Sequence, residues 1–166
     1  MKQVFICDDN MDVKDNPFFS MVLKDPDSGR FFEIEVFFLA PDNDCQLKLY
    51  KLDAEKWEAC ESIEEYIPDN HFPEDSFILL DTFWRDKDHS EIIPRLRDDI
   101  LQMAKNTSNY TIIVYTSVSV ADARRFREDL EKSGYKVSSN VACLPRSPQI
   151  RYIERLREVL KAISEV

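Results

Sequence analysis

The sequence predicts an α/β fold in which a mostly parallel, five-stranded sheet is covered by helices on both faces. Three observations carry this. Short apolar runs occur at Val4-Phe5-Ile6-Cys7, Phe77-Ile78-Leu79-Leu80 and Ile112-Ile113-Val114-Tyr115. Their length and their β-branched or aromatic content suit parallel strands buried on both faces. From about residue 53 onward such runs alternate with stretches of helical spacing, the pattern of strands joined by crossover helices. Each run also ends in polar residues, Asp8-Asp9-Asn10, Asp81-Thr82 and Thr116-Ser117. Residues just past the strand C-termini of an open parallel sheet line one crevice, where ligands bind.

The elements follow in order. The first strand covers residues 4–7 and stops at the acidic pair. The stretch from 11 to 52 is irregular: only residues 17–24 offer a helix candidate, and they have no clear period. Pro26-Asp27-Ser28-Gly29 is a turn. Residues 31–40 alternate loosely and are rich in phenylalanine. In residues 46–52, Leu47 and Leu49 alternate with Lys48 and Tyr50, as in a half-exposed strand. An extra β-hairpin near residues 17–52 is therefore expected. Asp53 is a good N-cap for a helix over 54–67 that places Trp57, Cys60, Ile63 and Ile67 on one face.

After a loop between Pro68 and Pro73 comes the strand at 77–80. Ile93, Leu96, Ile100 and Met103 then recur at helical spacing, with Pro94 in the first turn. The strand at 112–115 precedes a helix marked by Val120, Ala123, Phe126 and Leu130 and ended by Gly134. A strand at 141–144 leads to a last helix with Ile150, Ile153, Leu156, Leu160 and Ile163 along one stripe.

The 166 residues, 43% of them hydrophobic, suit a single domain over 1–166 with a real core. A net charge of −10 disfavours nucleic acid and anionic membrane as partners, since both need a basic face. There is no apolar run of membrane-spanning length, and Met1-Lys2-Gln3 leads straight into a strand, so no secretory signal is read. Four scattered cysteines without a Cys-x-x-Cys pair, and two histidines, make a zinc site unexpected. A reducing cytoplasm is the simplest compartment. With Gly29 and Gly134 the only glycines, a glycine-rich phosphate loop is excluded.

Carboxylates converging at strand ends suit a hard cation such as Mg²⁺ together with a phosphoryl group. With these residues in place, the chain resembles the receiver domain of bacterial two-component response regulators, a doubly wound fold of flavodoxin-like topology. The resemblance implies that Asp8 and Asp9 hold Mg²⁺ and that Asp81 is both a metal ligand and the phosphoryl acceptor. It also implies that the backbone carbonyl of Phe83 completes the metal site and that Thr116 contacts the phosphoryl group. The family places a lysine after the fifth strand. Here Leu144-Pro145-Arg146-Ser147-Pro148 stands there, with Arg146 nearest that position. Guanidinium keeps the charge but is a planar fork rather than a compact ammonium. The turn after the acceptor is Trp84-Arg85-Asp86-Lys87-Asp88-His89, without the family's usual proline and glycine.

Two further readings stand beside the receiver. One is a pseudo-receiver, a protein-interaction module without phosphotransfer. The other is a phosphatase of the haloacid dehalogenase type with Asp8 as nucleophile, for which Asn10 stands where a second aspartate is wanted. Under the receiver reading the partner is a protein, a sensor kinase or a downstream effector, because no output domain is present. Trp84, among charged residues, reads as exposed. The phenylalanine-rich edge near residues 17–52 is expected to be covered, by a homodimer or by a partner.

Overall fold

In the computed structural model the described residues are 1–10, 15–53, 56–85 and 92–166. Seven strands form one mixed sheet: β1 (Lys2–Cys7), β2 (Ile34–Pro41), β3 (Leu47–Asp53), β4 (Lys56–Ala59), β5 (Ser76–Asp81), β6 (Tyr110–Thr116) and β7 (Ala142–Cys143). Their order is β4-β3-β2-β1-β5-β6-β7. The pairs β2–β1, β1–β5, β5–β6 and β6–β7 are parallel. The pairs β2–β3 and β3–β4 are antiparallel. The helices are α1 (Ile92–Lys105), α2 (Val120–Lys132) and α3 (Gln149–Ser164).

Strand alternation divides the core into two layers. Phe5, Cys7, Phe37, Leu39, Ile78, Leu80, Ile112 and Val114 face α1 and α2. Val4, Ile6, Val36, Phe38, Leu79 and Tyr115 face α3 and the segment around Phe19–Met21. Both sides of the central strands are thus buried, which is why their sequences are apolar without interruption. The expected helices at 92–105 and 120–132 form where their apolar spacing places them. Ser119 caps α2 by accepting from the amide of Asp122, and Gly134 past its end takes φ +91°, a conformation natural to glycine.

Two expectations need correction. The helix over 54–67 does not form. Lys56–Ala59 is instead a strand, with Trp57 opposite Leu52, and Ile63–Glu65 and Pro68–Asn70 are single 3₁₀ turns; Ala54 and Glu55 lie outside the described residues. Pairing with β3 and edge-on aromatic contacts of Trp57 with Phe19 (5.2 Å) and Phe38 (5.6 Å) override the helical spacing. The second concerns the irregular segment. Its second half does form a hairpin, β2–β3, but β2 also pairs parallel to β1 and is an inner strand. The sheet accordingly has seven strands rather than five plus an appended hairpin. The helix candidate at 17–24 reduces to one 3₁₀ turn at Phe19–Met21. Of the phenylalanines here, Phe19, Phe37 and Phe38 are buried, and Phe31 is 59% exposed.

Among the described residues, no helix is long and apolar enough to cross a membrane.

Candidate metal and phosphoryl site

Register brings the acidic residues together. Cys7 of β1 is paired with Leu80 of β5, so Asp8 and Asp81 stand level at the ends of adjacent parallel strands. Asp9 follows directly. One carboxylate oxygen from each of Asp8, Asp9 and Asp81 lies within 4.8 Å of the others. Asp8 and Asp81 are buried and Asp9 is partly buried.

Arg146 enters this cluster from the segment after β7. Its Nη2 donates to Asp8 Oδ1 (3.0 Å) and Oδ2 (2.9 Å), and to Asp81 Oδ2 (3.3 Å). The chain is led there by β7: Thr116 is paired with Cys143, and the amide of Leu144 donates to the carbonyl of Thr116 at 2.8 Å. Three carboxylates against one guanidinium leave negative charge uncompensated. Asp81 responds most strongly: burial, then the charges of Asp8 and Asp9, push its carboxyl up to about 9, against the pull of Arg146 and of the Phe83 amide. Burial also lifts Asp9 to about 6, opposed by the Arg85 amide, which donates to its Oδ2 at 2.7 Å. Burial works against the charge of Arg146, but Asp8, Tyr115 and Asp81 together outweigh it, and its pKa rises.

Asp8 is the most enclosed member, with no exposure. Its Oδ1 accepts from the Asn10 amide at 2.8 Å, and its Oδ2 accepts from the Tyr115 hydroxyl. Alternation along β6 sets Tyr115, rather than Thr116, on the side of the sheet that Asp8 and Asp81 share. Tyr115 is paired with Asp81 in register, and its phenol reaches past β5 to Asp8. Sequence reasoning missed it because a tyrosine in an apolar run reads as core. Oδ1 and Oδ2 are both engaged, which argues against Asp8 as a nucleophile.

The remaining predicted residues are close by in other roles. Thr116 is buried, and its hydroxyl oxygen accepts from the amides of Val118 (3.2 Å) and Ser119 (3.1 Å), turning the chain into α2. Phe83 meets Asp81 through its backbone N–H. Trp84 is not exposed as its charged neighbours suggested: it is 4% exposed, and its Nε1 donates to the Asp81 carbonyl at 3.0 Å. The indole packs into the α1 and α2 layer, which explains its burial. Residues 86–89 of that turn, His89 included, lie outside the described residues. Arg97 of α1, which the sequence did not single out, donates from Nη1 to the Thr82 carbonyl at 2.6 Å and lies 4.4 Å from the Phe126 ring centre. It fixes the turn that follows Asp81.

The donor set fits a hard divalent cation: oxygen ligands only, clustered within reach of one ion and carrying surplus negative charge. Compared with known protein families, curated proteins and solved structures, the chain matches none of them.

Proposed function

We propose that this chain is an atypical receiver domain of phosphorelay signalling that accepts a phosphoryl group on Asp81 in the presence of Mg²⁺. The observation that carries the proposal is the convergence of Asp8, Asp9 and Asp81 at the ends of β1 and β5, with Arg146 against two of them. In this reading β2-β1-β5-β6-β7 is the five-stranded parallel unit of a doubly wound, flavodoxin-like fold, and β3 and β4 are an antiparallel extension of its edge.

Asp8, Asp9 and Asp81 would hold Mg²⁺, together with the Phe83 carbonyl. The ion supplies charge neutralisation for the phosphoryl oxygens. The chain's own residues do the rest. An oxygen of Asp81 forms the new bond to phosphorus while the bond to the donor's leaving group breaks, its electron pair departing with that group. Arg146 turns its fork to the phosphoryl oxygens, a geometry guanidinium matches well. With its carboxyl raised to about 9, metal-free Asp81 is mostly protonated at neutral pH and a poor nucleophile. Cation dependence follows directly.

A second reading, a pseudo-receiver that binds a protein partner without phosphotransfer, is favoured by one specific feature. Nη2 of Arg146 already bridges Asp8 and Asp81 as an internal cation. Titration with Mg²⁺ and beryllofluoride, followed by labelling with a small phosphodonor and mapping of the modified residue, decides between them. Saturable binding and label on Asp81, both lost in Asp81→Asn, support the receiver. Metal binding without label supports the pseudo-receiver.

A further inference from the structure

β4 ends the sheet on the side away from β7, and among the described residues it pairs with β3 alone. The hydrogen-bond phase of that ladder shows which of its groups face outward. The Cys60 amide donates to the Leu49 carbonyl at 2.9 Å, so these two residues form a hydrogen-bonded pair. Such pairs recur at every second residue of an antiparallel ladder. Glu58 with Lys51, and Lys56 with Asp53, are therefore bonded pairs. Trp57, opposite Leu52, and Ala59, opposite Tyr50, turn their N–H and C=O groups away from β3.

An open edge is a template for another strand, and proteins commonly guard it with charge. A guard of one sign repels a copy of itself. Here the signs alternate about Trp57, with Lys56 before it and Glu58 after it, both exposed. Strand alternation puts these two on one face and the indole on the other. Lys51, across from Glu58, is taken by Glu35 at 3.1 Å. Neither Lys56 nor Glu58 takes part in a salt bridge among the described residues. On the indole face, Trp57 touches Phe19, and the neighbouring Phe18 and Met21 are exposed.

Two antiparallel registers engage the outward groups of Trp57 with outward groups on the β4 of a second copy. If Trp57 lies opposite Ala59 of the copy, Glu58 faces Glu58, and like charges directly opposite are destabilising. If Trp57 lies opposite Trp57, Lys56 faces Glu58 and Glu58 faces Lys56. The two indoles then form a cross-strand aromatic pair. Charge thus selects the second register.

We propose that β4 pairs antiparallel with β4 of a second copy about a two-fold axis at Trp57, joining two seven-stranded sheets into one. The contact is isologous, each copy presenting the same strand to the other. With four residues per strand it lies at the small end of interface sizes, so the association is reversible. It is independent of the chemistry at the acidic site.

Sedimentation of the full chain over a concentration series is expected to show a monomer–dimer equilibrium that salt weakens. Hydrogen exchange at the Trp57 amide is expected to slow as the concentration rises. Glu58→Lys and Lys56→Glu, both at exposed positions, each set like charges opposite one another in the homodimer. Each is expected to weaken it by about tenfold or more. Mixing the two variants, or combining both changes in one chain, restores opposite charges and is expected to recover most of the native affinity. A monomer at every concentration overturns self-pairing and leaves a strand of a different protein as the occupant of this edge. A dimer that withstands both reversals, or one that the double variant fails to re-form, also overturns it, because association then runs through another surface.

Discussion

A single nitrogen, Nη2 of Arg146, stands 2.9 Å from Oδ2 of Asp8 while also lying 3.3 Å from Oδ2 of Asp81. Arg146, which follows the edge strand β7, therefore ties together the ends of β1 and β5 from the far end of the sheet. It is the positive charge that the described residues place directly on this acidic cluster, and the consequences of that imbalance can be measured.

Metal-free stability is expected to fall as pH rises. Asp81 sits at about 9 in the fold, well above an unfolded aspartate near 4. Between those values the native state keeps a proton that the unfolded chain has released, so its contribution is full below about pH 4 and is lost as pH climbs through 9. Asp9, at about 6, adds a smaller decline between about 4 and 6. Urea denaturation with a chelator present should give a higher midpoint at pH 5 than at pH 8.5. Asp81→Asn should remove most of the slope, and a flat profile in the native chain would contradict the charge imbalance.

Millimolar Mg²⁺ should reverse this decline. A ligand that binds only the native state stabilises it by about 2.7 kcal/mol at a hundred times its dissociation constant. The melting temperature should exceed that in sodium of matched ionic strength, most clearly at pH 8. Asp9→Asn should lose the effect. An equal rise in that variant would mean that the ion acts elsewhere.

Removing Arg146 should be costly. Breaking a buried ion pair from one side typically costs about 3–5 kcal/mol, because the partner charges stay buried. Arg146→Ala should approach that loss at pH 8 without metal and lose less at pH 5, where Asp81 and Asp9 carry protons. Arg146→Lys should fall between, since an ammonium keeps the charge but sits on a shorter side chain than the Nη2 that now meets both carboxylates. Denaturation at the two pH values reads the difference; a pH-independent loss would assign Arg146 to packing instead.

The aromatic edge offers a test of the fold. Phe37, fully buried and stacked 4.8 Å from Phe5, should lose about 3–5 kcal/mol on truncation to alanine. Trp57→Ala, at a half-buried edge position, should cost about 2 kcal/mol through its contacts with Phe19 and Phe38. Phe31→Ser should change stability by less than about 0.5 kcal/mol, because its ring is mostly in solvent. Denaturation midpoints check all three. A negligible Trp57→Ala effect would remove the physical basis for the β4 edge.

The sequence by itself determined the central strands and most of the helices. The runs 4–7, 77–80 and 112–115 are apolar throughout because both faces of their strands are covered, a purely local signal. For the same reason Asp8, Asp9 and Asp81 could be read as one cluster before any coordinates. Parallel strands end on one side, and their polar termini must meet there. The helices around Ile93 and Ala123 were equally legible, since their spacing matches a helical face.

What tertiary structure decided is what depends on a distant partner. Residues 56–59 are a strand because β3 lies beside them and Phe19 and Phe38 receive Trp57. Their spacing alone fits a helix equally well. Tyr115 reaches Asp8 across β5, and Arg146 reaches Asp8 from 138 residues away. Neither contact leaves a periodic trace in the chain. Local sequence records which face of an element is apolar, whereas the pairing of strands and the seating of a buried charge are set by groups that only folding brings within a hydrogen bond's length.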